Sequence, residues 1–158
     1  MPTDNFTRMI HLADEFFETK NDPSQLSIDE QVMKRLHGIH PATMGEIANE
    51  QGPVAWTIVL PTSAAAMELF LMKEIGEQEL MERAEKEKQF ESIYLCSALV
   101  LPEQRGRGLA RQLIDDSIRS IVNDHPIRTL YYWAFSTEGD ALARSASRTF
   151  NLPLRKRM

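Results

Sequence analysis

Cysteine is nearly absent. Cys96 is the only one in 158 residues, so no internal disulfide can form and no paired-cysteine zinc site exists. A reduced, intracellular setting follows as the expectation. Long apolar runs are missing too: residues 57–60 and 69–72 fall far short of the roughly 20 apolar residues that a membrane-spanning helix needs. The first 17 residues contain Asp4 and no long apolar stretch, which is not the pattern of a secretory signal. A basic surplus is also lacking. With 18 Lys and Arg against 23 Asp and Glu, the net charge is −5, which argues against general nucleic-acid binding. His11, His37, His40 and His125 show no metal-ligand spacing, so no metal is expected. No repeats or low-complexity linkers occur. The chain therefore reads as one cytoplasmic domain, 1–158, without a membrane or nucleic-acid partner. Its 42% hydrophobic content suffices for a single core.

Periodicity predicts a helix over 5–19, with Phe6, Ile10, Ala13 and Phe17 near one face, ended by Asn21, Asp22 and Pro23. A second helix starts at Ser27 in a capping box with Glu30 and stops at Gly38. Strands 44–49 and 54–60 form a hairpin around a turn at 50–52, and Pro61 ends the second. Residues 63–90 read as one or two helices, capped by Ser63 and broken or bent at Gly76. Residues 64–91 hold eight acids and four bases, so the rest of the chain is nearly neutral. Residues 92–101 are almost uninterruptedly apolar, the signature of a central strand. A glycine turn, a helix over 108–122, a strand over 129–135 and a helix over 139–150 follow. The tail has room for one short strand. The order predicts a layered α/β (α+β) domain.

The chemistry concentrates in Ala98-Leu99-Val100-Leu101-Pro102-Glu103-Gln104-Arg105-Gly106-Arg107-Gly108-Leu109-Ala110-Arg111. A buried strand stops at a proline, two glycines follow, and a long amphipathic helix begins. Glycine permits positive φ and close backbone approach to a ligand. The start of the helix offers unpaired N–H groups and a partial positive charge. Together they make a cradle for phosphates, with three arginines on the rim. The same residues would also make a tight strand-to-helix turn with surface arginines. No Lys-Ser or Lys-Thr follows the glycines as in a P-loop, and Arg111 stands where a dinucleotide fingerprint needs its third glycine.

This segment resembles the acyl-CoA site of the GNAT family of N-acetyltransferases. Arg105, Gly108 and Ala110 match its Arg/Gln-x-x-Gly-x-Gly/Ala signature, Gly106 gives the common Arg-Gly form, and Val100 and Pro102 match the strand end. The resemblance implies a mixed, mostly antiparallel central sheet flanked by helices, with a helical insert at about 63–90 and a shortened C-terminus. It implies that backbone N–H groups from Arg105 through Gly106, Arg107, Gly108 and Leu109 to Ala110 hold the diphosphate of acetyl-CoA, with Arg111 beside them. The strand backbone at Ala98, Leu99 and Val100 would pair with the pantetheine arm, and the strand would splay from 129–135. An amine, carried by a small molecule or a peptide, would attack the thioester directly in a ternary complex.

The catalytic groups fit the family pattern less well. Some members carry a glutamate six residues before the Val100 position, where this chain has Tyr94; Glu91 at the strand start is an alternative acting through water. Where many members place a tyrosine acid in the last helix, this chain has Ser145, with Tyr131 and Tyr132 as substitutes, only one of which can face the site. Cys96 reads as a buried structural residue. The insert would cover the acceptor site, form a homodimer contact or simply pack with a charged outer face. A non-catalytic acyl-CoA binder of the same fold is the alternative function.

Overall fold

The computed structural model describes residues 4–20, 30–133 and 136–158, the side chains of 16–20 excepted. The expected turn at Asn21–Pro23, the Ser27 cap, the facing of Phe17 and the strand end at Ala134 and Phe135 lie outside the described residues. Among the described residues six helices and five strands run in the order α1 (Asn5–Lys20), α2 (Glu30–Ile39), β1 (Met44–Asn49), β2 (Gly52–Thr62), α3 (Ala64–Leu71), α4 (Glu77–Lys86), β3 (Ser92–Val100), α5 (Leu109–Asp124), β4 (Thr129–Trp133), α6 (Thr137–Phe150) and β5 (Leu154–Arg157). A 3-10 turn at Pro102–Gln104 joins β3 to the glycines. The insert is thus two helices. Ser63 caps the first by accepting the Ala66 amide, and Gly76 caps the second.

The sheet runs in the spatial order β1-β2-β3-β4-β5. It is mixed, antiparallel over the long β1/β2 and β2/β3 pairings and parallel over the shorter β3/β4 and β4/β5 pairings. Helices cover both faces. Met9 and Ala13 of α1 pack with Trp56, Leu99 and Leu101. On the other face, the position of Gly45 lies against Thr57 and Leu113 of α5. Trp56 and Thr57 are adjacent along β2, and neighbouring side chains point to opposite faces, so α1 and α5 lie on opposite sides. Tyr131 meets Phe70 of α3, whereas its neighbour Tyr132 bonds Asp140 of α6, which separates α3 from α6 by the same logic.

Two punctuation residues act differently from expectation. Gly38 does not stop α2, which continues one residue further to Ile39. Pro61 lies inside β2, opposite Ile93. The Val59 amide bonds the Thr43 carbonyl on the β1 side, and β1 begins only opposite Ile58. Two residues beyond Val59, the nitrogen of Pro61 faces the side on which β1 has not yet begun, so its missing N–H costs no ladder bond.

β3 changes register against β2 along its length. Between Ile58 and Val59, β2 advances one residue while β3 advances from Leu95 to Ser97, leaving Cys96 as the extra residue of a β-bulge. A bulge bends its strand and disrupts the ladder. Among the described residues the parallel pairing with β4 runs from Ser92 opposite Thr129 to Leu95 opposite Tyr132. From Ser97 to Val100 the edge of β3 away from β2 meets no strand among the described residues. No helix among the described residues is long and apolar enough to cross a membrane.

Candidate functional site

The open stretch of β3 has a regular polarity. The Leu101 amide donates to the Val54 carbonyl on β2. Alternation then turns the backbone groups of Leu99 toward β2 and those of Ala98 and Val100 toward the open edge. The Leu99 side chain is buried against Trp56 and Leu101. Of the three strand residues expected to meet the pantetheine arm, Ala98 and Val100 therefore present their backbone to the gap, and Leu99 does not.

The turn above the gap is built as the glycines suggest. Gly106 and Gly108 have φ of +82° and +72°, a region that a side chain strongly disfavours. An added Cβ at either position would meet nothing within 4 Å, so the turn is open rather than plugged. Gly108 caps α5 in the left-handed conformation. Among the described residues no acceptor meets the amides of Gly106, Arg107, Gly108, Leu109 or Ala110. Arg105 donates from Nε to the Val100 carbonyl at 3.1 Å. Arg111 reaches toward Asp115, 3.9 Å away, where burial pushes the Asp115 carboxyl upward against the pull of Arg111. Arg107 is exposed.

Two recesses meet at Leu142. One lies over the turn, lined by Val100, Arg105, Gly108, Ala110 and Leu142 among others. The other, of about 130 Å³, fills the gap between β3 and β4, with Cys96, Ala98, Ile114, Tyr132 and Trp133 in its walls and Gly139 and Leu142 of α6 across from them. Ser136 positions α6 here by accepting the Gly139 amide at 3.0 Å.

The expected catalytic residues are scattered. Tyr94 is fully buried on the α3 face, its hydroxyl 2.5 Å from Glu77 Oε2. Burial, and then the Glu77 carboxylate, push that hydroxyl well above the ordinary phenol range, so Tyr94 keeps its proton. Glu91 sits at the opposite end of β3 from the turn. Its amide bonds Thr62 and its carbonyl accepts from Arg128, and it lines neither recess. Ser145 lies on α6 with a buried hydroxyl that has no hydrogen-bond partner, also away from both recesses. Of the two substitute tyrosines, Tyr132 faces the gap. Its hydroxyl donates to Asp140 at 2.7 Å, and burial, then Asp140, raise it to about 12. Tyr131 is buried on the other face and bonds Thr62 at 2.7 Å.

Glu77 was missed. It is 1% exposed, with its carboxylate between Tyr94 and Cys96. Its signal was present: Glu77 shares helical spacing with Leu80, Met81 and Ala84, the buried stripe of α4. Among the described residues no group of three or more His, Cys, Asp or Glu is placed to hold a metal ion.

No family model matches the chain, and no curated protein matches it. One similar solved structure is the GNAT-like decarboxylase GphF in complex with isobutyryl-CoA. It is 14% identical in sequence, with a TM-score of 0.47, over 70% of this chain and 55% of that one, little more than half its length.

Proposed function

We propose that this chain is an acyl-CoA-dependent N-acetyltransferase that moves an acetyl group from acetyl-CoA to a primary amine. One observation carries the reading: a recess between β3 and β4 runs by way of Leu142 to a helix start whose amides meet no acceptor among the described residues. Amides from Gly106 to Ala110 receive the diphosphate, as the start of a 16-residue helix favours. Ala98 and Val100 offer backbone donors and acceptors to the pantetheine arm, in the manner of an added strand. The Val100 amide polarises the thioester carbonyl where negative charge develops. The amine attacks in its neutral form, and the CoA thiolate departs. The proposed setting is cytoplasmic, and the proposed assembly is a homodimer through the α3–α4 segment.

A second reading is an acyl-CoA binder without turnover. It is favoured by the tyrosines, since the protons of Tyr94 and Tyr132 are both committed to carboxylates. Calorimetric titration with acetyl-CoA, followed by thiol release across a panel of primary amines, separates the two. Binding with turnover supports the transferase, and binding without turnover for any amine supports the binder. Absence of binding removes both.

A further inference from the structure

Among the described residues Glu77 is the one buried acid, 1% exposed. Burying a carboxylate is costly unless it is hydrogen-bonded, and an apolar residue at this place in the stripe would pack α4 as well. The partners of Glu77 Oε2 on β3 are both protic side chains: the Tyr94 hydroxyl at 2.5 Å and the Cys96 thiol at 3.5 Å. Cys96 is the extra residue of the β2/β3 bulge, and it stands in the wall of the gap. Cys96 is thus the wall residue that stands between the cavity and the carboxylate. Tyr94 holds its proton and serves to aim the carboxylate. Glu77 also opens α4, where negative charge is favourable.

We infer that Glu77 is the proton reservoir of the acyl transfer, reached from the cavity through the Cys96 thiol. This rests on the transferase reading above. In the step, the amine lone pair forms the C–N bond at the thioester carbonyl carbon. The C–S bond breaks, and its electron pair leaves on the CoA sulfur. The surplus proton on nitrogen passes to Cys96 Sγ as Cys96 passes its own proton to Glu77 Oε2. The path then reverses, Glu77 to Cys96 to the CoA thiolate. The products are an amide and a free thiol, with Glu77 and Cys96 restored. Cys96 meets the reacting groups, and Glu77 acts through it as a positioning residue.

The test measures thiol release from acetyl-CoA with spermidine, a lysine peptide and glucosamine from pH 6 to 10, for the wild type, Glu77→Gln, Cys96→Ala and Cys96→Ser. Acetyl-CoA affinity and thermal unfolding are measured on the same proteins. Glu77→Gln and Cys96→Ala are expected to lower kcat by about 100- to 1000-fold, the range of a lost acid–base group, with acetyl-CoA affinity kept within about two-fold. Their residual rate should climb with pH as the amine itself deprotonates. Cys96→Ser keeps a relaying hydroxyl and should stay within about ten-fold of the wild type. Should Glu77→Gln fail to fold, the two Cys96 variants decide, since they leave the Glu77–Tyr94 bond in place. Wild-type kcat and pH profile in Glu77→Gln or Cys96→Ala would overturn the relay alone, and so would equal losses in the serine and alanine variants. A wild type that binds acetyl-CoA and acetylates none of the amines overturns the transferase reading and the relay with it.

Discussion

The Arg105 guanidinium donates from Nε to the Val100 carbonyl across 3.1 Å. The bond joins the first residue of the glycine turn to the last residue of β3, on the edge away from β2. It therefore sets the distance between the amides proposed to hold a diphosphate and the strand proposed to hold the arm below it. A hydrogen bond from a charged group contributes about 1.5–3 kcal/mol, less where water competes. Arg105→Ala is expected to weaken acetyl-CoA binding about ten-fold, equivalent to roughly 1.4 kcal/mol. The fold should persist, because the turn is also held by the Gln104 and Arg105 amides on Leu101 and Pro102. Calorimetric titration checks this, and an unchanged affinity would remove Arg105 from the site.

Gly108 allows strain and site chemistry to be separated. Its φ of +72° strains any side chain, by about 1–2 kcal/mol for an ordinary residue. Gly108→Ala and Gly108→Glu incur that strain alike, and the space around the Cβ is empty for both. Only the glutamate brings a negative charge to the amides. Thermal unfolding should show similar losses in the two variants. Acetyl-CoA affinity should fall modestly in the alanine variant and by more than about 100-fold in the glutamate variant. Equal affinities in the two would place the ligand elsewhere.

The legible parts of this protein are local ones. Arg105, Gly106, Gly108 and Ala110 lie within six residues of one another, and their pattern survives without knowledge of any partner strand. The Ser63 cap and the break at Gly76 are local too, and the structure has both. Features set by register were hidden. The position of Pro61 depends on where β1 begins, and the register change in β3 depends on Cys96 being surplus against β2. In the sequence Cys96 is one more residue of an apolar run. Glu77 was masked differently: among eight acids in a charged segment, its apolar spacing carried little contrast. Tyr132 and Tyr131 could be assigned to opposite faces by alternation, but only the packing of α3 against Tyr131 shows which one is left to the gap.

His125 predicts a pH dependence of stability. Burial, then the neighbouring His40, lower its pKa from 6.5, with Asp124 opposing. Its ring also packs on Phe90, 4.8 Å between centroids. A histidine with a depressed folded pKa binds fewer protons folded than unfolded, so stability rises with pH across the interval between the two values. Stability should be full above about pH 7 and fall as pH drops through about 6.5 toward the lower folded value. His125→Phe keeps a ring against Phe90 and should flatten that part of the profile. Urea midpoints at about pH 5 and about pH 7.5, on either side of the histidine range, measure it; an unchanged slope in the variant would assign the dependence to another group.

At Gly45 the edge strand comes close to the helix that carries the cradle. A Cβ there would stand 2.6 Å from Thr57 Oγ1 and 3.2 Å from Leu113 Cβ. Thr57 is buried and its hydroxyl has no partner, so it has little room to turn away. Gly45→Ala gains about 0.4–1 kcal/mol by restricting the unfolded chain. Overpacking costs about 1–3 kcal/mol, so the net effect should be destabilising. Thr57→Ala removes the nearer clash, and the double variant should recover part of the loss, a non-additivity that a double-mutant cycle measures. Leu113 lies one turn beyond Leu109 on α5, so a shift of the helix to accommodate the added methyl group also moves the amides at its start. Acetyl-CoA affinity should therefore fall together with the urea midpoint in Gly45→Ala and return with it in the double variant. A midpoint equal to the wild type would mean that β1 and α5 do not meet as closely as these distances require.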